Sequence, residues 1–514
     1  MEIPYQHAAN ISINQHLKAP SSTQLEASSA AVLLLSPSPA RIPWDAIPYG
    51  DLLRRRWSGR TKSAVDEDPW VTELPNPGGT RLVVARSRNA GEGFVQLTQA
   101  RKLAAEALGR DPSRLLVCSL GLDSAAALQA HEALITALLA GVCALPTQKS
   151  RPTPGHPLKR IDCYGLDVKL DIRRTRAEAQ GNHLARWLTH LPPNLLTPAQ
   201  YRAFVDKLVK RHGWTLEVLD RQKLKRKKAG AFLAVAQASG RDDAAIVHLG
   251  YRPPGASGRP AVALVGKGIC FDTGGVNLKT ARFMHGMHED MEGSAVALGT
   301  LLALTLLKVD FNVDCWLALA ENHVGPAAYK PNDVVTASNG TSIEIIHTDA
   351  EGRMVLADTL ALAGKTRPRL IVDYATLTGA CVSALSTRLS GVFSNREALL
   401  PTLIEAGRTS GERVWPFPMS EDFDEALESK VADIKQCTLD SEADHILAAR
   451  FLSRFVPEET AWIHMDLSAG NHKSGLAHIP TDVTGFGVRF TLNLLLQQQV
   501  LSQHALDRAG TLST

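Results

Sequence analysis

Short apolar runs alternate with helical patterns along most of the chain, and this alternation is typical of an α/β fold. In the second part of the chain the apolar runs lack polar alternation, as in parallel strands that are buried on both faces. We therefore predict a central, mostly parallel sheet there. The predicted strands are 261–265, 315–320, 370–375 and 462–467, and the predicted helices between them are 293–308, 356–365 and 446–455.

A smaller α/β pattern precedes this one. Its last strand follows a proline-rich loop at 146–157, and a helical stretch at 175–188 then ends before Pro192 and Pro193, which stop a helix. We place the boundary near residue 175, which gives an N-terminal α/β domain, 1–175, and a larger C-terminal α/β domain, 176–514. The predicted N-terminal strands are 82–85, 115–118 and 161–170, and the helices are 96–108 and 125–139.

The first 45 residues have weak periodicity, and we expect a loosely attached segment there. The apolar run 30–35 precedes Ser-Pro-Ser-Pro, so a late-starting secretory signal is one interpretation, but the short length of the run favours the first strand of the N-terminal domain. No apolar run approaches the roughly 18 residues that a membrane span needs.

Composition excludes several classes of protein. With 514 residues, 44% hydrophobic and 21% charged, the chain has the profile of a globular protein of two or three domains. A net charge of +4 is small for this length and indicates neither a nucleic-acid nor a membrane partner. The seven cysteines are odd in number and lack paired spacing, which favours a reducing compartment. We expect a cytoplasmic protein.

Four carboxylates and an amine are concentrated in a few segments. Lys267 and Asp272 follow the predicted strand 261–265, and Asp349 and Glu351 follow the run 343–346, which we interpret as a further buried strand. Active residues of such sheets gather outside the carboxyl ends of strands. These groups would repel one another and resist burial unless a cation neutralised them. Two divalent metal ions that share carboxylates would do so and would form a hydrolytic centre. No phosphate-loop motif is present, so we interpret the nearby glycines as turn formers. The residues are Lys267, Asp272, Asp290, Asp349 and Glu351.

Several spaced motifs resemble the signature of the leucyl aminopeptidase family, the cytosolic exopeptidases with a dinuclear metal centre. The resemblance runs from about residue 180 to 495. It thus covers the predicted C-terminal domain and implies that this is the catalytic domain. The motifs are VGKGICFDTGG (265–275), Lys279, Asp290-Met291, Glu321-Asn322, YKP (329–331), TDAEGR (348–353), ATLTGA (375–380) and TGFGVR (484–489).

The resemblance implies a metal-dependent aminopeptidase, a hydrolase that releases N-terminal residues from peptides with a free N-terminus. Two divalent ions per subunit are implied, with Mn or Zn favoured over Co or Mg, and a hydroxide shared by both would attack the peptide carbonyl. One ion would also anchor the substrate's α-amine. The implied ligands are Lys267, Asp272, Asp290 and Glu351 for one ion, and Asp272, Asp349 and Glu351 for the other.

Further roles follow from the same resemblance. Lys279 would stabilise the oxyanion, and Arg353 would hold a bicarbonate that serves as general base. The family is hexameric, so a homo-oligomer without a membrane partner is implied. The implied pocket for the first side chain has an apolar preference and contains Met287, Thr376, Leu377 and Gly379.

The chain departs from the family pattern at a few positions. His347 replaces the usual Asn, Glu292 replaces a small residue, and Asp444-His445 replace a glycine-rich approach to the last helix. We expect these residues at the pocket rim, where they affect substrate preference rather than the reaction. His285 and His288 are in the wrong order for a His-Glu-x-x-His zinc motif, so we expect rim roles for them as well.

Two alternative functions stay open at the level of sequence. One is a DNA-binding or regulatory protein on the aminopeptidase fold, because the run 223–228 is basic. The small net charge and the lack of interleaved aromatic residues favour a solvated helix face instead, and the retained Lys279 and Arg353 argue against lost catalysis. The other is a different dinuclear hydrolase, such as an amidase or phosphatase, and the lysine ligand weighs against it.

Overall fold

The computed structural model describes residues 3–60, 69–88, 92–151, 155–241, 243–440, 442–502 and residue 506. These residues fall into two compact units. The first takes those within Glu2–Gln180 and Lys473–Asp482, and the second takes those within Gly181–His472 and Val483–Thr514. The predicted domain boundary near residue 175 stays a prediction.

The first unit contains a six-stranded sheet with helices packed against it. The strands are β1 (Ser12–Gln15), β2 (Ala30–Leu35), β3 (Trp70–Glu73), β4 (Arg81–Arg86), β5 (Arg114–Leu120) and β6 (Arg160–Tyr164). Their order is β1-β6-β5-β2-β4-β3, and every pair is parallel except β3 with β4. The helices are Gln6–Asn10, Ser22–Glu26, Gly50–Ser58, Gly93–Leu108 and Ser124–Gly141, with short 3-10 turns at Pro39–Arg41 and Trp44–Ala46; Arg173–Thr189 leads into the second unit.

Strand β2 lies in the middle of this sheet and is buried along its whole length. Val32 packs in a core with the helix Gly93–Leu108, while Leu33 packs on the other face with Trp57. The expectation of a loosely attached segment at the N-terminus is therefore wrong for these residues. The interpretation of 30–35 as a strand is confirmed, but it is the second strand along the chain and not the first, because β1 precedes it. Alternation was invisible in the sequence because both faces of β2 are apolar.

The last predicted strand of this unit is shorter than expected. The run 161–170 was predicted as one strand, but β6 ends at Tyr164. Gly165 follows with a φ of +76°, a left-handed conformation that ends the extended backbone.

The second unit is built on an eight-stranded sheet and a separate three-stranded one. The strands are β7 (Thr215–Leu219), β8 (Ala245–Tyr251), β9 (Val262–Asp272), β10 (Val313–Asn322), β11 (Val334–Thr336), β12 (Ser342–Glu344), β13 (Leu370–Ala375), β14 (Ser390–Ser394), β15 (Val414–Pro416), β16 (Ile434–Lys435) and β17 (Ala461–Asp466). The large sheet has the order β15-β14-β17-β13-β9-β10-β8-β7, and the small one β11-β12-β16. The four central strands, β17, β13, β9 and β10, are parallel, so the predicted central parallel sheet is confirmed.

Strand β9 is longer than predicted, and this changes the position of Lys267. The prediction ended the strand at residue 265 and placed Lys267 after it, but pairing with β10 continues to Asp272. The strand was predicted too short because Gly266 and Gly268 interrupt the apolar run. A side chain at Gly266 would collide with the backbone of Ser294, so the glycine is needed for close packing.

The run 343–346 was also predicted as a buried strand leading to Asp349. Only Ser342–Glu344 forms a strand, and it belongs to the three-stranded sheet. Asp349 therefore does not follow a strand of the central sheet, and that part of the prediction is wrong. Short strands of this kind carry too little periodicity to assign them to a sheet from sequence.

Helices cover both faces of the large sheet. Among them, Glu292–Leu307 and Glu351–Gly364 are almost wholly buried. The α-helices are Pro198–His212, Arg221–Arg226, Gly230–Ala236, Ala281–Met284, Glu292–Leu307, Glu351–Gly364, Gly379–Leu385, Leu400–Ser410, Asp444–Ser453 and Val488–Leu492; the 3-10 helices are Met287–Glu289, Ser386–Arg388, Glu397–Leu399, Glu421–Leu427 and Val500–Ser502; Asn493–Gln497 is a π-helix.

One segment, Ala281–Leu307, is long and apolar enough to cross a membrane by length and average composition alone. Within the fold, 83% of its apolar window is buried. A helix that is apolar all round is also what the core of a large domain requires, and the helix Glu292–Leu307 within this segment packs against β9, β10 and β13.

Candidate metal centre

Three buried carboxylates converge at one point of the second unit. Asp272 is the last residue of β9, Asp290 directly follows the turn Met287–Glu289, and Glu351 is the first residue of its helix. Each side chain offers one oxygen, and these three oxygens lie within 4.8 Å of one another. The three side chains thus form the kind of cluster that holds a cation with oxygen ligands.

Lys267 lies against this cluster and is only 3% exposed. Its Nζ atom is 2.7 Å from Asp290 Oδ1 and 2.9 Å from Glu351 Oε1, and it donates a hydrogen bond to the Thr376 carbonyl at 2.9 Å. Burial lowers the pKa of the Lys267 ammonium, but the surrounding carboxylates, Asp290 first, outweigh burial and raise it. The amine is therefore protonated here, and it would act as a metal ligand only after a bound cation had lowered its pKa.

A second lysine occupies the other side of the cluster. Lys279 Nζ lies 3.0 Å from Asp272 Oδ2 and 2.6 Å from Asp349 Oδ1. The Asp349 side chain is 28% exposed, in contrast to the three buried carboxylates. All five predicted ligands therefore lie in one continuous network of ion pairs, and Asp349 is its most solvent-exposed member.

Without a cation, the charged form of these buried carboxylates is unfavourable. Burial, and then the repulsion of neighbouring carboxylates, raises the pKa of Asp290, Glu351 and Asp349, although the two lysines oppose this rise. Within the described residues, Asp290 Oδ2 and Glu351 Oε2 are buried without a hydrogen-bond partner. Buried oxygens with unsatisfied lone pairs fit a divalent cation, which would supply the missing charge and ligands at once.

Neighbouring polar groups hold the carboxylates in place. Asn322 Nδ2 and the backbone N–H of Gly274 both donate to Asp272 Oδ1 at 2.8 Å, and Thr376 Oγ1 donates to Asp290 Oδ1 at 2.7 Å. Such partners fix the orientation of metal ligands. Asn322 stood in a family motif, but sequence reasoning gave it no role.

Gly352 is the residue that lets Lys267 reach the helix start. A Cβ atom added at Gly352 would lie 2.6 Å from Lys267 Cε and 2.7 Å from its Nζ. Any side chain at this position would push the amine away from Glu351.

A cavity of about 490 Å³ opens beside the cluster. All four residues predicted to take the first side chain of the substrate line it, and so does His347, whereas His285 and His288 are absent from its described wall. Glu292 also reaches the cavity wall but is 1% exposed, so the expectation that it lies at the rim is wrong. The four pocket residues are Met287, Thr376, Leu377 and Gly379.

The loop that carries this pocket is held by Asp466, which sequence reasoning missed. Asp466 ends β17, and its carboxylate accepts from the backbone of Leu377 at 3.1 Å and from Thr378 Oγ1 at 2.6 Å. The signal was its position at the end of a predicted central strand, next to the strand end at Ala375.

Arg353 is buried, and its guanidinium is already engaged by the chain itself. Nη1 donates to the Gln436 carbonyl at 3.0 Å, and Nη2 donates to Asp444 Oδ1 at 2.7 Å. In the sequence, Asp444 stands out only as a departure from the family pattern. Its pairing with Arg353 joins residues 91 positions apart, which no local pattern reveals.

Residues 183–492 match the family model described as "Cytosol aminopeptidase family, catalytic domain". This chain belongs to the cytosol aminopeptidase family. Fold, motifs and the predicted enzyme class agree with that membership, and the prediction of the family from spaced motifs is confirmed.

Relatives and a solved structure extend the match beyond the catalytic domain. A probable cytosol aminopeptidase of Wolbachia pipientis wMel is 42% identical over 336 residues, which are 65% of this chain and 66% of that protein. Another, of Synechococcus sp. (strain CC9605), is 35% identical over 475 residues, or 88% and 96% of the two chains. The structure of a tomato leucine aminopeptidase mutant superposes with a TM-score of 0.82 at 27% identity, covering 95% of this chain and 96% of that one.

Proposed function

We propose that this chain is a metal-dependent aminopeptidase that releases N-terminal residues, preferably apolar ones, from peptides. The observation that carries the proposal is the buried cluster of Asp272, Asp290 and Glu351, with Lys267 against it, in a member of the cytosol aminopeptidase family. We infer that Lys267 and the three carboxylates hold one ion, and that Asp272, Asp349 and Glu351 hold a second.

The divalent ions, when bound, supply Lewis acidity that polarises the peptide carbonyl and makes water nucleophilic at neutral pH. The chain's own residues supply position and charge. Lys279 is 14% exposed, lines the cavity and carries a raised pKa, because the attraction of Asp272 and Glu351 outweighs burial. Its ammonium can donate to the carbonyl oxygen of the peptide as negative charge develops there.

The first side chain of the substrate is inferred to enter the cavity between Met287 and Leu377. Val382 adds a further apolar surface, so an aliphatic side chain loses more contact with water than a polar one. A free α-amine is favoured because the site is rich in carboxylates, whereas an acylated amine has neither charge nor a free lone pair.

Hydrolysis of aminoacyl amides and dipeptides tests this function. Metal-depleted protein should be inactive, and Mn, Zn, Co or Mg added one at a time should restore activity to different extents, with Mn or Zn the most effective. Leucyl substrates should exceed aspartyl ones in kcat/KM, and N-acetyl-leucyl amide should be a poor substrate. Undiminished hydrolysis by the metal-free protein would refute the proposal.

Assembly and location are proposed from family membership. We infer a homo-oligomer, a hexamer by resemblance, located in the cytoplasm, and light scattering on the purified chain tests the assembly. The DNA-binding alternative gains no support. The basic run 223–228 begins in the helix Arg221–Arg226, whose apolar Leu224 is buried while Lys225 and Arg226 are exposed, as on an ordinary solvated helix face.

A further inference from the structure

The bicarbonate that family resemblance implies at Arg353 does not fit the residues that surround it. Arg353 is 2% exposed, and both of its Nη atoms already donate to acceptors of this chain, the Asp444 carboxylate and the Gln436 carbonyl. A bound oxyanion would be left with Nε, which has no hydrogen-bond partner among the described residues, and with the remaining hydrogens of the Nη atoms, and it would place a second negative charge beside Asp444. Two anions this close together on one buried guanidinium would repel each other strongly.

Asp444 is also hard to displace. It is the first residue of the helix Asp444–Ser453, where a carboxylate is favoured by the positive end of the helix. Its Oδ1 atom lies 2.7 Å from Arg353 Nη2, in an ion pair whose arginine side chain is only 3% exposed. Moving Asp444 away would leave a buried, uncompensated arginine, which is costly.

The Asp444 side chain nevertheless reaches the cavity. It is 25% exposed and lies on the cavity wall together with Glu351 and Asp349. One edge of the carboxylate is therefore held by Arg353 while the other can accept a hydrogen bond from water or substrate in the cavity. This combination of a fixed position and an open edge is what an anion bound at Arg353 would otherwise provide.

We propose that Asp444 supplies the anion of Arg353 from within the chain, so that this aminopeptidase works without bicarbonate. Asp444 is a positioning residue: it fixes Arg353 and presents a carboxylate to the cavity beside the metal centre. The inference rests on the proposed function for its effect on turnover. Whether Arg353 can bind a free anion does not depend on the proposed function, and it can be measured without any reaction.

The first experiment measures anion binding by metal-free protein. Isothermal titration calorimetry with sodium bicarbonate and with sodium formate should show no binding to the wild type and one site in Asp444→Ala, because the substitution frees Arg353 Nη2. Asp444→Asn should not bind either anion, since the amide still fills the space. Glu442→Ala removes an exposed carboxylate two residues away and should behave as the wild type. Bicarbonate bound by the wild type at Arg353, or no anion bound by folded Asp444→Ala, would overturn the proposal.

The second experiment measures turnover of the metal-loaded enzyme in carbonate-free buffer. Wild-type kcat should not change on addition of bicarbonate, whereas Asp444→Ala should lose on the order of 10- to 100-fold, a typical effect for a group that supports a metal centre. Bicarbonate or formate should restore part of that loss in Asp444→Ala and none in Asp444→Asn. A wild type that is activated by bicarbonate, or an Asp444→Ala variant with unchanged and anion-independent kcat, contradicts the assignment. A wild type that hydrolyses no aminoacyl substrate would refute the proposed function. The calorimetric result would then still show whether Asp444 prevents anion binding at Arg353.

Discussion

The Nζ atom of Lys279 lies 2.6 Å from Oδ1 of Asp349, on the cavity side of the carboxylate cluster. Lys267 also lines the cavity, but it is only 3% exposed against 14% for Lys279, and it contacts Asp290 and Glu351 instead. Two lysines separated by a short stretch of chain therefore face different parts of the same site, and their substitution should have different consequences.

Lys279→Ala should keep its metal and lose turnover. The lysine is proposed to act on charge that develops during the reaction, and removal of one such donor typically costs about 100- to 1000-fold in kcat. Metal content by elemental analysis should match the wild type, and excess metal should not restore kcat. A variant rescued by metal would show that Lys279 serves the metal and not the oxyanion.

Lys267→Ala should instead weaken metal binding. The cluster would lose a nitrogen that contacts two of its carboxylates, and ligand loss lowers affinity while leaving the remaining ligands in place. Activity measured across a metal titration should recover in part at high metal concentration. An affinity equal to that of the wild type would remove Lys267 from the ligand set.

The bridging roles of Asp272 and Glu351 predict a pattern of metal content. Asp272→Ala and Glu351→Ala should each lose both ions, because each residue is proposed to contact both. Asp290→Ala should empty mainly one site and retain roughly half of the metal. Elemental analysis of the three variants after the same dialysis is the measurement, and equal metal content in all three would contradict the assignment.

Gly352→Ala should disturb the metal site without a new polar group. The added methyl would lie 2.6 Å from Lys267 Cε, so the lysine must shift away from Glu351. We expect a lower metal affinity with secondary structure retained, measured by metal titration and circular dichroism. Gly379→Ala is the matched control, because a Cβ there meets no atom within 4 Å, and its metal affinity should equal that of the wild type.

Asp162 in the first unit predicts a dependence of stability on acid pH. Burial favours its neutral form, but hydrogen bonds from Arg160, His16 and Arg114 outweigh burial and lower the pKa of Asp162 from 3.8 to about 2. A carboxyl with a depressed folded-state pKa stabilises the fold above its ordinary pKa and loses that contribution as pH falls through the folded value.

The urea midpoint of the wild type should therefore fall between about pH 4 and pH 2. In Asp162→Asn the midpoint should be lower at pH 7 and should fall less over that interval. The control variant Asp45→Asn changes an exposed carboxylate and should have the same pH profile as the wild type. Parallel profiles for the wild type and Asp162→Asn would show that Asp162 does not contribute to acid sensitivity.

The family and the central sheet could be predicted from the sequence because both depend on local patterns of residues. The parallel strands β13 and β17 appear as continuous apolar runs, and the residues around Asp272 and Glu351 stand in motifs of fixed spacing. Such patterns do not depend on how distant parts of the chain meet.

What the sequence could not predict depends on contacts between distant residues. The pairing of Arg353 with Asp444 and the support of Leu377 by Asp466 each join elements about 90 positions apart, 91 and 89 respectively. The length of β9 was hidden for a related reason. In the sequence, Gly266 indicates the end of a strand. Only the structure shows that the glycine is required by close packing against the helix Glu292–Leu307.

Strand β9 carries both Lys267 and Asp272 in the middle of the large sheet, between β13 and β10. Backbone amides of such a strand exchange with solvent only when the whole domain opens. The two residues are therefore held in place before any ion arrives, and ion binding orders little additional chain. In hydrogen-exchange measurements, the protection of β9 should thus differ little between the apo and holo forms, unlike in small zinc domains, which fold only around their ion.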